Sequence, residues 1–191
     1  MSNKGRKLPG ESYAPEEIKK LLAQFNCRYA TPTRNRALVV VMWRCGLRVS
    51  EALDLLPGDI QDGVVRVRCG KGGKARVAAL DPQGQAVLQA WLDRKQKLGI
   101  GGPIFSTLKG GRMQSSYVRQ FLPRMAKKAA LGKRGHAHGL RHSFACDLAK
   151  EGVPLRVISK SLGHSTFATT QVYLDHLTGG DVVEVLQKRS W

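Results

Sequence analysis

Apolar residues recur at helical spacing over most of the chain. Between Tyr13 and Phe25, the residues Ile18, Leu21, Leu22 and Phe25 fall on one stripe, Pro15 stands at a permitted first-turn position, and Glu16 and Glu17 sit at the positive end. That pattern predicts an amphipathic helix. The stretch from Arg34 to Arg44 contains the apolar run Ala37 to Trp43, so a more buried helix is expected there, ended by Gly46. Its seven residues are too few to cross a bilayer. A short helix from Ser50 to Leu56 is stopped by Pro57 and Gly58. The period then changes. Gly63 to Cys69 and Ala75 to Leu80 are β-rich runs around a glycine turn and predict a hairpin. Helical spacing returns from Pro82 to Leu98, with Val87, Leu88, Trp91 and Leu92 inward; residues 99–102 form a break. A helix from Ser115 to Ala130 should be interrupted at Pro123. Further helices are expected near 138–151, 154–162, 166–176 and 181–189, while residues 1–12 read as a basic, disordered tail. The expected fold is mainly α with a small antiparallel hairpin or three-stranded sheet.

Charge narrows the partner. Lys and Arg number 32 against 14 acids in 191 residues, a formal net charge of +18. An excess of that size implies a polyanion, and nucleic acid leads because each phosphate contact releases counterions. A membrane surface is the rival. The chain has no apolar run of about 18 residues, and its start, Met1 to Lys7, is polar and unlike a signal peptide. A cytoplasmic, nucleoid-associated protein without membrane contact is expected. The four cysteines, Cys27, Cys45, Cys69 and Cys146, show no C-x-x-C spacing, which argues against a zinc ribbon or a disulfide framework and for buried thiols.

The candidate chemistry lies in two clusters. His138 and Arg141 are three apart and share a helix face, and an imidazole beside a guanidinium makes an anion site. His164 and Tyr173 are nine apart, about 13 Å of rise in one straight helix. A break at Ser165, a good N-cap residue, would fold the Tyr173 segment back toward the same anion. Upstream, Arg48 and Glu51 have the spacing of an i,i+3 ion pair, worth a few tenths of a kcal/mol on a surface. His136, His138 and His142 invite a metal reading, but no carboxylate or thiol completes the set. No metal and no cofactor is expected.

The order of these motifs, Cys45-Gly-Leu-Arg-Val-Ser-Glu-Ala-Leu53, then Gly70-Lys-Gly-Gly-Lys-Ala-Arg76, then His138-x-x-Arg141, Leu162-Gly-His164 and Tyr173, resembles the tyrosine recombinase (phage integrase/Xer) family. The similarity runs from about Ser12 to Gln187. It implies the catalytic-domain fold of that family over residues 13–191 and a site-specific recombinase acting on double-stranded DNA through a 3′-phosphotyrosyl intermediate. By this resemblance Tyr173 is the nucleophile, Arg48 and Arg141 clamp the scissile phosphate, and His138 and His164 bond it and manage the tyrosine proton. Lys71 is the general acid, with Lys74 able to exchange roles, and Glu51 and His142 support the site. The resemblance further implies a tetramer on synapsed DNA, with helix 181–189 exchanged between protomers, and leaves room for an accessory DNA-binding protein. The resemblance covers the family's catalytic domain and not its N-terminal core-binding domain, which implies a catalytic domain alone, as in the family's small single-domain invertases or in a piece of a longer protein. Two other functions fit the same fold: a DNA-binding accessory protein with little catalysis, and a relaxing activity like that of type IB topoisomerases.

Overall fold

The computed structural model describes residues 12–68 and 75–163. Its elements in chain order are α1 (Pro15–Leu22), α2 (Ala30–Arg44), α3 (Val49–Leu53), a 3-10 turn (Pro57–Asp59), β1 (Ile60–Gln61), β2 (Val64–Val67), β3 (Arg76–Ala79), α4 (Pro82–Lys97), α5 (Ser115–Lys128), α6 (Ala137–Lys150) and α7 (Leu155–Leu162). The expected helices 166–176 and 181–189, the tip of the hairpin and residues 1–11 lie outside the described residues.

The apolar run in α2 makes it the hub. Ala37 through Met42 are all buried, and α2 packs against both α4 and α6. A helix apolar on all sides must be covered on all sides, and α4 contributes Leu88 and Trp91 while α6 contributes Leu140. Trp91 keeps its indole N–H satisfied by donating to the Ile104 carbonyl at 2.8 Å. A smaller cluster of Ala145, Ile158 and Leu162 joins α6 to α7. Helix α2 begins at Ala30, earlier than expected, because Pro32 falls in its first turn, where a missing N–H costs nothing.

The sheet is a meander, β1-β2-β3, antiparallel throughout. Val65 and Val67 of β2 face the core and Val64 and Arg66 face out, the alternation a half-buried strand requires. Asp62 and Gly63 both take positive φ and form the tight turn between β1 and β2.

Two expectations need correction. Helix α5 is not interrupted at Pro123 but runs through it. The carbonyl that loses its partner belongs to Arg119, an exposed residue, where water can serve it, and burial of Val118, Phe121, Leu122 and Ala126 along one stripe holds the helix together. Nor are all the cysteines buried. Cys45 is, and burial pushes its thiol up to about 12, but Cys27 is exposed and Cys146 half-buried.

Candidate active site

The turn that ends α2 sets the geometry. Gly46 takes φ +57°, a left-handed conformation that glycine adopts without penalty. A Cβ at this position would stand 2.4 Å from Cδ1 of Phe144, so the absence of a side chain also lets α6 approach. The Gly46 carbonyl accepts a hydrogen bond from Nη1 of Arg141 at 2.6 Å. Two residues on, Arg48 caps α3. Its backbone N–H donates to Oε2 of Glu51 at 2.8 Å, and its Nη1 donates to Oε1 at 2.8 Å.

The expected Arg48–Glu51 pair forms, but with its carboxylate buried rather than at the surface. The Glu51 side chain is only 3% exposed, because α3 turns that face of its single turn inward, and the carboxylate gathers two further arginines. Nη2 of Arg76 donates to Oε2 at 2.7 Å, and Nη1 of Arg141 lies 3.9 Å from the same oxygen. Burial alone would raise this carboxyl, but the Arg48 backbone N–H, the Arg76 charge and the two guanidinium hydrogen bonds outweigh it and hold it below the usual carboxylate value. Three cations facing one anion leave an excess of positive charge with little water to screen it. Such a place suits an oxyanion, and planar guanidinium groups match phosphate oxygens well.

Arg141 is itself buried, and its Nη2 donates to the Leu162 carbonyl at 2.5 Å, so this one side chain ties the end of α2 to the end of α7. His138 stands one turn earlier on α6. Although exposed to solvent, its ring is disfavoured as a cation, first by the protein packed around it and then by the charges of Arg141, His136 and Arg48, and it is held below the ordinary histidine value. At neutral pH it is a neutral imidazole, able to accept a proton. His142, the next residue after Arg141, is buried against the inner face of α6.

His136 does something else. It caps α6, its Nδ1 accepting the Gly139 N–H at 2.9 Å, a use of that ring nitrogen that competes with metal ligation. Its own N–H donates to the Tyr13 hydroxyl at 2.9 Å, and that hydroxyl donates to the Arg134 carbonyl at 2.6 Å, so the segment before α1 fixes where α6 begins.

Of the residues singled out in the sequence, Arg48, Glu51, His138 and Arg141 come together in this way, while His142 is buried on α6. Lys71, Lys74, His164 and Tyr173 lie outside the described residues; Gly163, which ends α7, immediately precedes His164, and β3 begins two residues after Lys74. Arg76 was quoted only as the end of the hairpin motif, yet it is one of the three cations on Glu51. Strand alternation carried the signal, since Arg76 is two residues from buried Ala78 and so shares its inward face.

Comparisons with known proteins identify the family. The phage integrase family matches residues 12–179. The tyrosine recombinase XerC of Agrobacterium fabrum is 35% identical over 171 residues, covering 86% of this chain and 52% of the relative. The chain thus spans about half the length of the curated relatives it matches. Among solved structures, the XerA recombinase superposes with a TM-score of 0.83 at 27% identity, covering 97% of this chain and 68% of that one. The XerH site-specific recombinase, in a post-cleavage complex with a palindromic difH substrate, gives a TM-score of 0.77 at 26% identity, covering 98% of this chain and 55% of that one. With the match running through almost every described element, and the arginine pair meeting where the motifs put it, this chain belongs to the phage integrase family, the tyrosine recombinases.

Proposed function

We propose that this chain is the catalytic module of a site-specific DNA recombinase. The observation that carries the reading is the convergence of Arg48 and Arg141, from distant parts of the sequence, on the buried carboxylate of Glu51. Phosphoryl transfer asks a protein chiefly for positioning and for charge placed against the non-bridging oxygens, and two guanidinium groups fixed by a shared anion supply both.

In this reading the Tyr173 hydroxyl loses its proton to an imidazole, His138 or His164, and its oxygen attacks the scissile phosphorus. A phenol with an ordinary value of about 10 needs such a basic neighbourhood. The bond from phosphorus to the 5′ oxygen breaks, its electron pair stays on that oxygen, and Lys71 or Lys74 supplies the proton. A 3′-phosphotyrosyl link remains. Attack on it by a 5′ hydroxyl of another strand reverses the chemistry and rejoins DNA. The net charge of +18 favours duplex DNA as the partner, and the XerH relative captured on its difH substrate supports the same. A tetramer on synapsed DNA, exchange of the 181–189 segment between neighbours, help from an accessory DNA-binding protein and a place on the nucleoid belong to the same proposal.

A nicked duplex that loses a short 5′ fragment after cleavage traps the intermediate. A recombinase gives an SDS-resistant protein–DNA adduct and then joins strands between two duplexes. An adduct without joining between duplexes marks a relaxing enzyme instead, and a chain that only binds DNA leaves no adduct.

A further inference from the structure

Arg76 breaks the pattern of its own strand. The inward positions of β3 are Arg76 and Ala78, and they pair across the ladder with Val67 and Val65, both buried. A cation therefore stands where the alternation calls for an apolar side chain, and conflicts of this kind concentrate at functional positions. The side chain is 7% exposed. Nη2 binds Oε2 of Glu51, Nη1 donates to the Ser161 carbonyl in the last turn of α7, and Nε is buried with no hydrogen-bond partner among the described residues. Gly163 takes φ +64°, and the Cβ it lacks would stand 2.8 Å from Cδ of Arg76, so the end of α7 is shaped around this side chain.

Stability is a poor reason for such an arrangement. A buried ion pair gains little over an apolar pair of the same volume, because desolvation offsets the attraction. What Arg76 does control is the direction of one carboxylate oxygen. Oε2 of Glu51 has Arg76 at 2.7 Å, the Arg48 backbone N–H at 2.8 Å and Arg141 at 3.9 Å, so Arg76 is the one side chain in hydrogen-bond contact with it. With Arg76 gone, only the Arg48 N–H would still hold this oxygen, and the nearest remaining guanidinium to compensate its charge is Arg141, whose charge would be drawn into an internal ion pair.

We propose that Arg76 is a positioning residue: by holding Glu51 toward itself and Arg48, it keeps the charge of Arg141 directed at the phosphate. The inference rests on the phosphoryl-transfer reading above. The test compares Arg76→Met, which keeps the volume without the charge, and Arg76→Lys, which keeps the charge without the fork, on two nicked substrates. One carries the ordinary scissile phosphate; the other carries a methylphosphonate there, which lacks one charged non-bridging oxygen. Arg76→Met should lower the thermal midpoint yet remain folded at the assay temperature with the DNA affinity of the wild type, and cleave the phosphate substrate roughly 10–100-fold more slowly, the usual cost of losing a residue that orients another. On the methylphosphonate the ratio of variant to wild-type rate should recover, because less charge remains for Arg141 to meet. Arg76→Lys should fall between, and it carries the comparison alone if Arg76→Met does not fold. An equal deficit on both substrates would show general structural damage and overturn the inference, as would no deficit on the phosphate. A wild type that forms no adduct removes the underlying reading, whereas an active wild type matched by both variants removes this inference only.

Discussion

Glu51 holds three arginines with one charge, so its neutral isostere should be costly. Glu51→Gln removes the charge that the buried Arg76 binds and that Arg141 approaches, and breaking a buried pair in this way costs on the order of 3 kcal/mol. Urea unfolding at neutral pH should show it; a loss near zero would mean that the carboxylate does not organise the site. The pH dependence has a definite sign. A carboxyl held below its usual value stabilises the fold at neutral pH, and that contribution is lost as pH falls through the folded-state value. His138 gives a second test at this scale. Its ring should titrate below 6.5 in a proton NMR series, and Arg141→Met should move the midpoint upward, because the Arg141 charge is one cause of the depression. A midpoint at or above 6.5 in the wild type would contradict the placement of these charges.

Turns and helix ends are what bring those residues together. Gly46 both ends α2 and offers its carbonyl to Arg141, and a Cβ there meets the Phe144 ring. Gly46→Ala should therefore cost about 1–3 kcal/mol through left-handed strain and overpacking, and should slow cleavage as well by moving the carbonyl that holds Arg141. A variant as stable and as active as the wild type would show that the turn tolerates rearrangement. The seven described helices were legible because their apolar residues recur at the helical period, as in Ile18 and Leu21 of α1 or Leu88 and Trp91 of α4. Strand β1 was not, since two residues are too short to show a period; Asp62-Gly63 was the one hint. Pro123 misled because its local rule ignores an exposed carbonyl and a well-packed stripe. The Arg48–Glu51 contact could be read from its spacing but its burial could not. The Arg76–Glu51 contact joins a strand to a helix 25 residues away, through packing that no local pattern encodes.

For the molecule as a whole, the cluster sits where α2, α3, β3, α6 and α7 meet, and among the described residues no helix is long and apolar enough to cross a membrane. A net charge of +18 should make DNA affinity fall linearly with salt on logarithmic axes, with a slope set by the number of phosphates neutralised. A flat response would remove DNA as the reason for the charge. The proposed chemistry is covalent attachment of DNA to one tyrosine, assisted by two arginines on a shared carboxylate. Its most direct test is to digest the adduct trapped on a nicked duplex and sequence the DNA-linked peptide by mass spectrometry. The account predicts a 3′-nucleotide phosphate on Tyr173 in the wild type and no adduct in Tyr173→Phe, with DNA affinity retained; a link at any other residue, or an adduct that survives Tyr173→Phe, would contradict it.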